Sequence, residues 1–157
     1  MSDVVDFLIT QHDQIRELAR AVERAPGGER APGGERAPGG ERARVFAEFD
    51  LLVNLHEIGD RTVVHPAARD STPTAEAVVV ACMAEEGAIL RALGELHEIG
   101  VGAASFVSKF GHLSGIIAAH NAREERDEFP LMRLYVKPQR LHMLVGQLHD
   151  IQVMGVA

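Results

Sequence analysis

The chain has 157 residues, 46% of them hydrophobic, no Trp and a formal net charge of −7. That length is enough to bury one real core, so 1–157 is expected to be a single domain. The acidic balance excludes a general nucleic-acid surface and an anionic membrane surface as partners, and no apolar run approaches the roughly 20 residues of a bilayer span.

The start, Met1-Ser2-Asp3-Val4-Val5-Asp6, lacks the basic stretch of a secretory signal. The lone Cys82 has no internal disulfide partner, which fits a reducing cytoplasm and a small buried hydrophobe. The first expected helix covers about residues 3–22. Its apolar stripe is Val5, Leu8, Ile15, Ala19 and Val22, interrupted by His12. Residues 25–42 are three tandem copies of Ala-Pro-Gly-Gly-Glu-Arg. Pro and paired Gly every six residues exclude a stable helix or strand there, so this is expected to be a flexible loop of low energetic cost.

The second helix is expected over about 41–65, with Phe49, Val53 and Val63 on the stripe that holds His56 and Asp60. Ser71-Thr72-Pro73-Thr74 reads as a loop and a helix start. The third helix then runs to about residue 98, with Val79, Cys82, Ile89, Leu93 and Leu96 around Glu86, and Gly100-Val101-Gly102 ends it. The fourth spans about 103–129, where Phe106, Phe110, Leu113 and Ile117 lead into His120 and Glu124. A short fifth helix, about 138–153, carries Leu141, Leu144, Leu148 and Ile151. Spacings that alternate between three and four mark helices packed at shallow angles, and no stretch alternates at period two. The expectation is an all-α, antiparallel up-down four-helix bundle with a short C-terminal fifth helix.

The polar residues that interrupt the stripes carry the chemistry. An unpaired buried carboxylate costs several kcal/mol, so it is rarely placed on a core face without a partner. His56, Asp60 and Pro66 recur as His120, Glu124 and Pro130 at the same spacing. Residues at i and i+4 share one helix face, so each copy aims an imidazole and a carboxylate at one spot. Two such pairs, facing each other, offer ligands to two transition-metal ions. His12 and Glu86 occupy equivalent places in their stripes, with apolar residues at identical offsets on either side. The first and third helices therefore look like one pair of equivalents and the second and fourth like another. Two hairpins related by a pseudo-twofold would close the bundle around six ligands.

In these residues the chain resembles the hemerythrin family, in its HHE cation-binding form. That pattern has His on the first helix, His-x3-Glu ending in an aromatic and Pro on the second, His on the third, and His-x3-Glu ending likewise on the fourth. His12, His56 and His120 match the histidines, Glu124 the last carboxylate and Phe129-Pro130 the closing pair. Three positions depart: Asp60 stands where Glu is usual, Glu86 where His is expected, and His65 replaces the aromatic before Pro66.

The resemblance implies a non-haem di-iron centre, with His12 and His56 on one iron, His120 and Glu86 on the other, and Asp60 and Glu124 as bridges. Three histidines and three carboxylates make a hard, anionic donor set, suited to iron or manganese over zinc or copper. Two divalent ions, three carboxylates and a bridging hydroxide sum to neutrality. The implied partner is a small diatomic or peroxide ligand: O2, hydrogen peroxide or nitric oxide. Glu86 in place of an imidazole moves the site towards carboxylate-rich centres, and so towards redox turnover of peroxide or nitric oxide, a catalase- or peroxidase-like oxidoreductase. The alternatives are a reversible O2, nitric oxide or iron sensor or store, and a helical interaction domain with vestigial ligands.

Other polar residues have blander readings. Glu57 and Glu125 lie about 100° round the helix from the ligand faces and read as solvated, with the alternative that either swings in. His65, nine residues from His56, falls on the opposite side of a regular helix and suits packing, capping or support of the ligands. His97 and His112 read as boundary residues, and His142 and His149 flank the apolar face of the last helix. Tyr135, the only Tyr, is a candidate for a supporting or redox role at the mouth of the bundle.

Overall fold

The computed structural model describes residues 2–27 and 40–156. Of the expected Ala-Pro-Gly-Gly-Glu-Arg loop, residues 28–39 lie outside the described residues.

The described residues are helical, with no strand among them. Helix α1 (Val4–Arg24) starts at a capping box, in which the Asp3 carboxylate accepts from the Asp6 N–H and the Asp6 carboxylate from the Asp3 N–H. Helix α2 (Glu41–Gly59) returns alongside α1. It is followed by a π turn, Asp60–Val64, and a short α3, His65–Ser71. Helix α4 (Ala75–Ile99) ends at Gly100, which takes the positive φ of 78°. Helix α5 (Phe106–Arg123) packs back along α4, and a second π turn, Glu124–Glu128, leads to α6, Phe129–Tyr135. Helix α1 also packs on α5, and α3 on α4, which closes the bundle. Helix α7 (Pro138–Val156) lies across α1 and α2, burying Leu141, Leu144 and Leu148.

The expected helices ended at about residues 65 and 129, before the prolines, but the chain stays helical to Ser71 and Tyr135. The π turns are the reason. In each, one amide skips back five residues: His65 N–H to the Asp60 carbonyl, and Phe129 N–H to the Glu124 carbonyl. The widened turn frees carbonyls just where Pro66 and Pro130 have no N–H to offer and would crowd a regular α turn.

Apolar burial divides into two blocks. One holds Ile15, Val22, Phe46, Phe49, Val53, Ile89, Leu93, Phe106, Phe110 and Ile117. The other holds Val5, Leu8, Val64, Val79, Phe129, Met132 and Leu148. Between them, at one level of α1, α2, α4 and α5 and the π turns that follow α2 and α5, lie His12, His56, Asp60, Glu86, His120 and Glu124, all buried. The fold thus walls a polar layer with hydrocarbon above and below.

Candidate metal centre

Each side chain of this layer is delivered by a helix whose apolar neighbours fix its direction. His12 sits between Leu8 and Ile15, and His56 between Val53 and the π turn that starts at Asp60. His12 Nε2 and His56 Nε2 come within 3.1 Å of each other. Their other nitrogens are engaged: His56 Nδ1 with Gln11 Oε1 at 2.9 Å, and His12 Nδ1 with Glu125 Oε1 at 3.3 Å. With Nδ1–H donated to those oxygens, both Nε2 lone pairs point at one place.

The carboxylates converge in the same way. Asp60 Oδ2 lies 3.1 Å from His56 Nε2. Glu124 Oε2 lies 3.9 Å from His12 Nε2, while its Oε1 is in contact with His120 Nε2. Yet both oxygens of Asp60, both of Glu124, Glu86 Oε2 and both nitrogens of His120 have no hydrogen-bond partner. Buried acceptors facing acceptors cost several kcal/mol each when nothing positive lies between them. A cation is what this donor set fits: neutral imidazole nitrogens and carboxylate oxygens, dry, clustered and otherwise unsatisfied.

Two groups of donors each lie within 4.8 Å of one another: His12, His56 and Glu124, and Glu57, Asp60, Glu86 and His120. All six residues singled out from the sequence fall in these two groups. The Asp60 carboxylate belongs to the second group and touches a histidine of the first, and Glu124 meets a histidine of each. Glu57 is an addition. It was expected to face solvent, but it is 2% exposed and joins the second group. A third grouping, Cys82, Glu85 and His120, lies on the Nδ1 side of His120. Burial pushes the Cys82 thiol far up, so it stays protonated, and Glu85 is held by Arg123 at 2.7 Å. Glu85, 3.7 Å from His120 Nδ1, suits an orienting role for that ring.

His65 also differs from the regular-helix expectation. The π turn adds one residue to its turn and shifts the phase by about 100°, which brings the ring inward. His65 Nδ1–H donates to Glu128 Oε1 at 2.7 Å, and Nε2 is hydrogen-bonded to Glu86 Oε1. Burial alone would pull this imidazole down, but the bonds to Glu128 and then Glu86 outweigh it and push it up to about 11. It is therefore an imidazolium, whereas burial, aided by His120 and Arg16, pulls His12 down to about 3. Burial holds His56 well below its ordinary value too, with His12 and His120 adding to the effect. Burial raises Asp60 and Glu124 well above the carboxylate range; the charge of Glu124 adds to it for Asp60, and that of Glu128 for Glu124.

The sequence did contain a signal for His65 and Glu128. In the repeat, His65 occupies the place of Phe129 and Glu128 that of Val64, and all four are buried. The support of His56 by Gln11, and of Gln11 by Gln152 of α7 at 3.0 Å, carried no such signal. Tyr135 is half-exposed and lines a groove with Ser71, Lys137 and Arg140, outside both donor groups. His97 is exposed, 3.1 Å from Asp50, and the exposed His142 engages the Ser2 carbonyl at 3.1 Å.

A cavity of about 40 Å³ opens beside His12, between α1 and α5, and its walls include Ile15, Arg16, Phe49, Ile117 and Asn121. It has room for a molecule of one to three heavy atoms, since a water occupies about 30 Å³ of liquid.

No curated protein matches the chain. In fold, it is similar to the crystal structure of a hemerythrin HHE cation binding domain-containing protein from Mycobacterium kansasii. That likeness has a TM-score of 0.80 at 18% identity, and covers 99% of this chain and 88% of the other. The family model described as hemerythrin HHE cation binding domain matches residues 3–132. Sequence pattern, bundle and buried donor layer agree, and the chain belongs to the hemerythrin HHE cation-binding family.

Proposed function

We propose that the protein holds two iron ions in this layer and uses them to consume peroxide or nitric oxide. His12, His56 and Glu124 hold one ion. Glu57, Asp60, Glu86 and His120 hold the other, with Asp60 and Glu124 shared. The observation that carries this reading is the set of buried, unpartnered donor atoms on Asp60, Glu86, His120 and Glu124. Charge supports the count of two. Five carboxylates are buried around the site: Glu57, Asp60, Glu86, Glu124 and Glu128. Two divalent ions and the His65 imidazolium balance them without a further anion. Manganese satisfies the same donors and the same balance.

Bound ferrous ions supply two electrons to peroxide or O2 and a binding position for nitric oxide. The chain does the rest. The cavity beside His12 admits a small uncharged molecule and excludes larger reductants. Phe49, Ile15 and Ile117 keep that approach dry. Gln11 and Glu125 fix the His56 and His12 rings with Nε2 inward. Iron-loaded protein is expected to consume hydrogen peroxide or nitric oxide at least about a hundredfold faster than the iron-loaded His56→Ala variant, a loss on the scale of one metal ligand or its support. Equal rates, or a wild-type protein that retains no metal after gel filtration, overturn the reading.

One observation favours a second reading, a reversible O2, nitric oxide or iron sensor. Gln152 of α7 donates to Gln11 Oε1 at 3.1 Å and to the Leu55 carbonyl at 3.3 Å, so a helix outside the bundle touches the support of His56. A stable ligand adduct with no turnover, accompanied by altered amide exchange in α7, favours that reading over the first.

A further inference from the structure

Glu86 is 1% exposed and stands where the family pattern expects an imidazole, beside His65, which stands where the pattern expects an aromatic. The pseudo-twofold shows what that second position does. Phe129, the equivalent of His65, stacks on His12 of the facing hairpin, with ring centroids 5.7 Å apart and planes 16° off parallel. His65 meets Glu86, the equivalent of His12, by a hydrogen bond to Oε1. In both halves, then, the residue before Pro braces the lone inward group on the first helix of the opposite hairpin. An aromatic ring suits an imidazole, and a carboxylate needs a donor. His65 provides one, and Glu128 holds its other nitrogen at 2.7 Å. Oε1 is taken by His65 and lies 3.9 Å from His120 Nε2; Oε2 of Glu86 is left buried and unpartnered, and the carboxylate falls within the donor group of Glu57, Asp60 and His120.

We propose that residues 65 and 86 have exchanged chemistry as a pair, so that His65, held by Glu128, is a positioning residue that makes Glu86 a one-oxygen donor to the second ion. The proposal rests on the metal-binding reading above and adds a requirement to it: neither residue is neutral to change alone, and changing both is milder than changing either. Reverting Glu86 alone sets a second imidazole against the His65 ring and removes the carboxylate that His65 Nε2 bonds. Reverting His65 alone leaves both Glu86 and Glu128 buried without a donor.

The test is a double-mutant cycle of His65→Phe, Glu86→His and the two combined. It is read by manganese(II) stoichiometry and affinity under equilibrium titration, and by the electron paramagnetic resonance spectrum of the bound manganese. Each single variant is expected to weaken the second ion at least tenfold, as loss of an orienting partner does. The combined variant pairs an aromatic ring with an imidazole but still leaves Glu128 without its donor; it is expected to bind the second ion more tightly than either single variant, with a changed spectrum that reports nitrogen for oxygen. Wild-type affinity in His65→Phe, or losses that simply add in the combined variant, overturn the exchange while leaving two-ion binding intact. Wild-type protein that takes up no manganese or iron overturns both. Should His65→Phe fail to fold, His65→Gln keeps one amide donor towards Glu86 and is expected to hold both ions within about tenfold. Complete loss of the second ion from folded His65→Gln also overturns the proposal.

Discussion

The Glu57 carboxylate is pushed up to about 7, mainly by burial and further by Glu86, and the charge of His120 offsets this only in part. The direction has a consequence for metal uptake. A raised value means that the metal-free fold favours the protonated form. That contribution to stability is present below the ordinary carboxylate value of 4.5 and is lost as pH rises through about 7. An ion must displace the same proton. The imidazoles compete little, since burial already holds His12 near 3 and His56 well below its ordinary value. Apparent metal affinity is therefore expected to rise between about pH 5.5 and 8, by up to about tenfold per unit for each proton displaced. Competition titrations at several pH values check this, and a flat profile contradicts it. Glu57 also marks where the sequence was legible and where it was not. His12, Glu86 and the paired His56 and His120 motifs stood out because a polar residue on an apolar stripe needs a reason to be there. Glu57 lies one residue off that stripe, where helical phase alone places it in solvent. Its burial places it beside Asp60, Glu86 and His120, a tertiary setting that no single-helix pattern encodes.

At the scale of elements, the helices and their order were legible because the three-four spacing runs through the buried residues of α1, α2, α4 and α5. The π turns were not. Asp60–Val64 and Glu124–Glu128 share no composition beyond the leading carboxylate, and the Pro six residues after it is the shared hint of them. They decide the site, because they turn His65 and Glu128 inward and let the helices run on past the prolines to meet α7. The docking of α7 depends on Gly59, the last residue of α2. A Cβ there would lie 2.2 Å from Leu148 Cδ1, and Leu148 is fully buried. Gly59→Ala is therefore expected to push α7 outward. Overpacking of this kind costs about 1–3 kcal/mol. The displacement also draws Gln152 away from Gln11 and loosens His56 Nδ1. Two readouts should move together: a lower melting temperature in the metal-free protein, and metal affinity weaker by about tenfold. A variant that melts early but binds metal as wild type does would show that α7 stabilises the bundle without reaching the centre.

For the whole molecule, the repeated motif means more than two separate helix signatures. Two hairpins pack face to face so that their polar positions share one layer, and apolar blocks on both sides deny that layer water. Such a layer is a liability without ions. Five buried carboxyl groups share the layer with the His65 imidazolium, and many of their oxygens have no donor. Hydrocarbon on both sides leaves the cavity beside His12 as the described way in. Metal and fold are thereby linked: an ion that binds only the closed bundle adds stability according to its concentration and affinity. At a thousandfold excess over the dissociation constant that gain is about 4 kcal/mol. For a chain of this length each kcal/mol moves the melting temperature by about 2–4 °C. Removing metal by chelation and desalting is therefore expected to lower the melting temperature by on the order of 10 °C, and adding back iron(II) or manganese(II) to restore it. Calcium, which demands six to eight oxygens, is expected to restore little, because three of the seven donors are imidazole nitrogens. Scanning calorimetry of the three preparations decides the matter. A melting curve unmoved by chelation would mean that the buried charges are neutralised by protons alone, and that the layer is no longer a metal site.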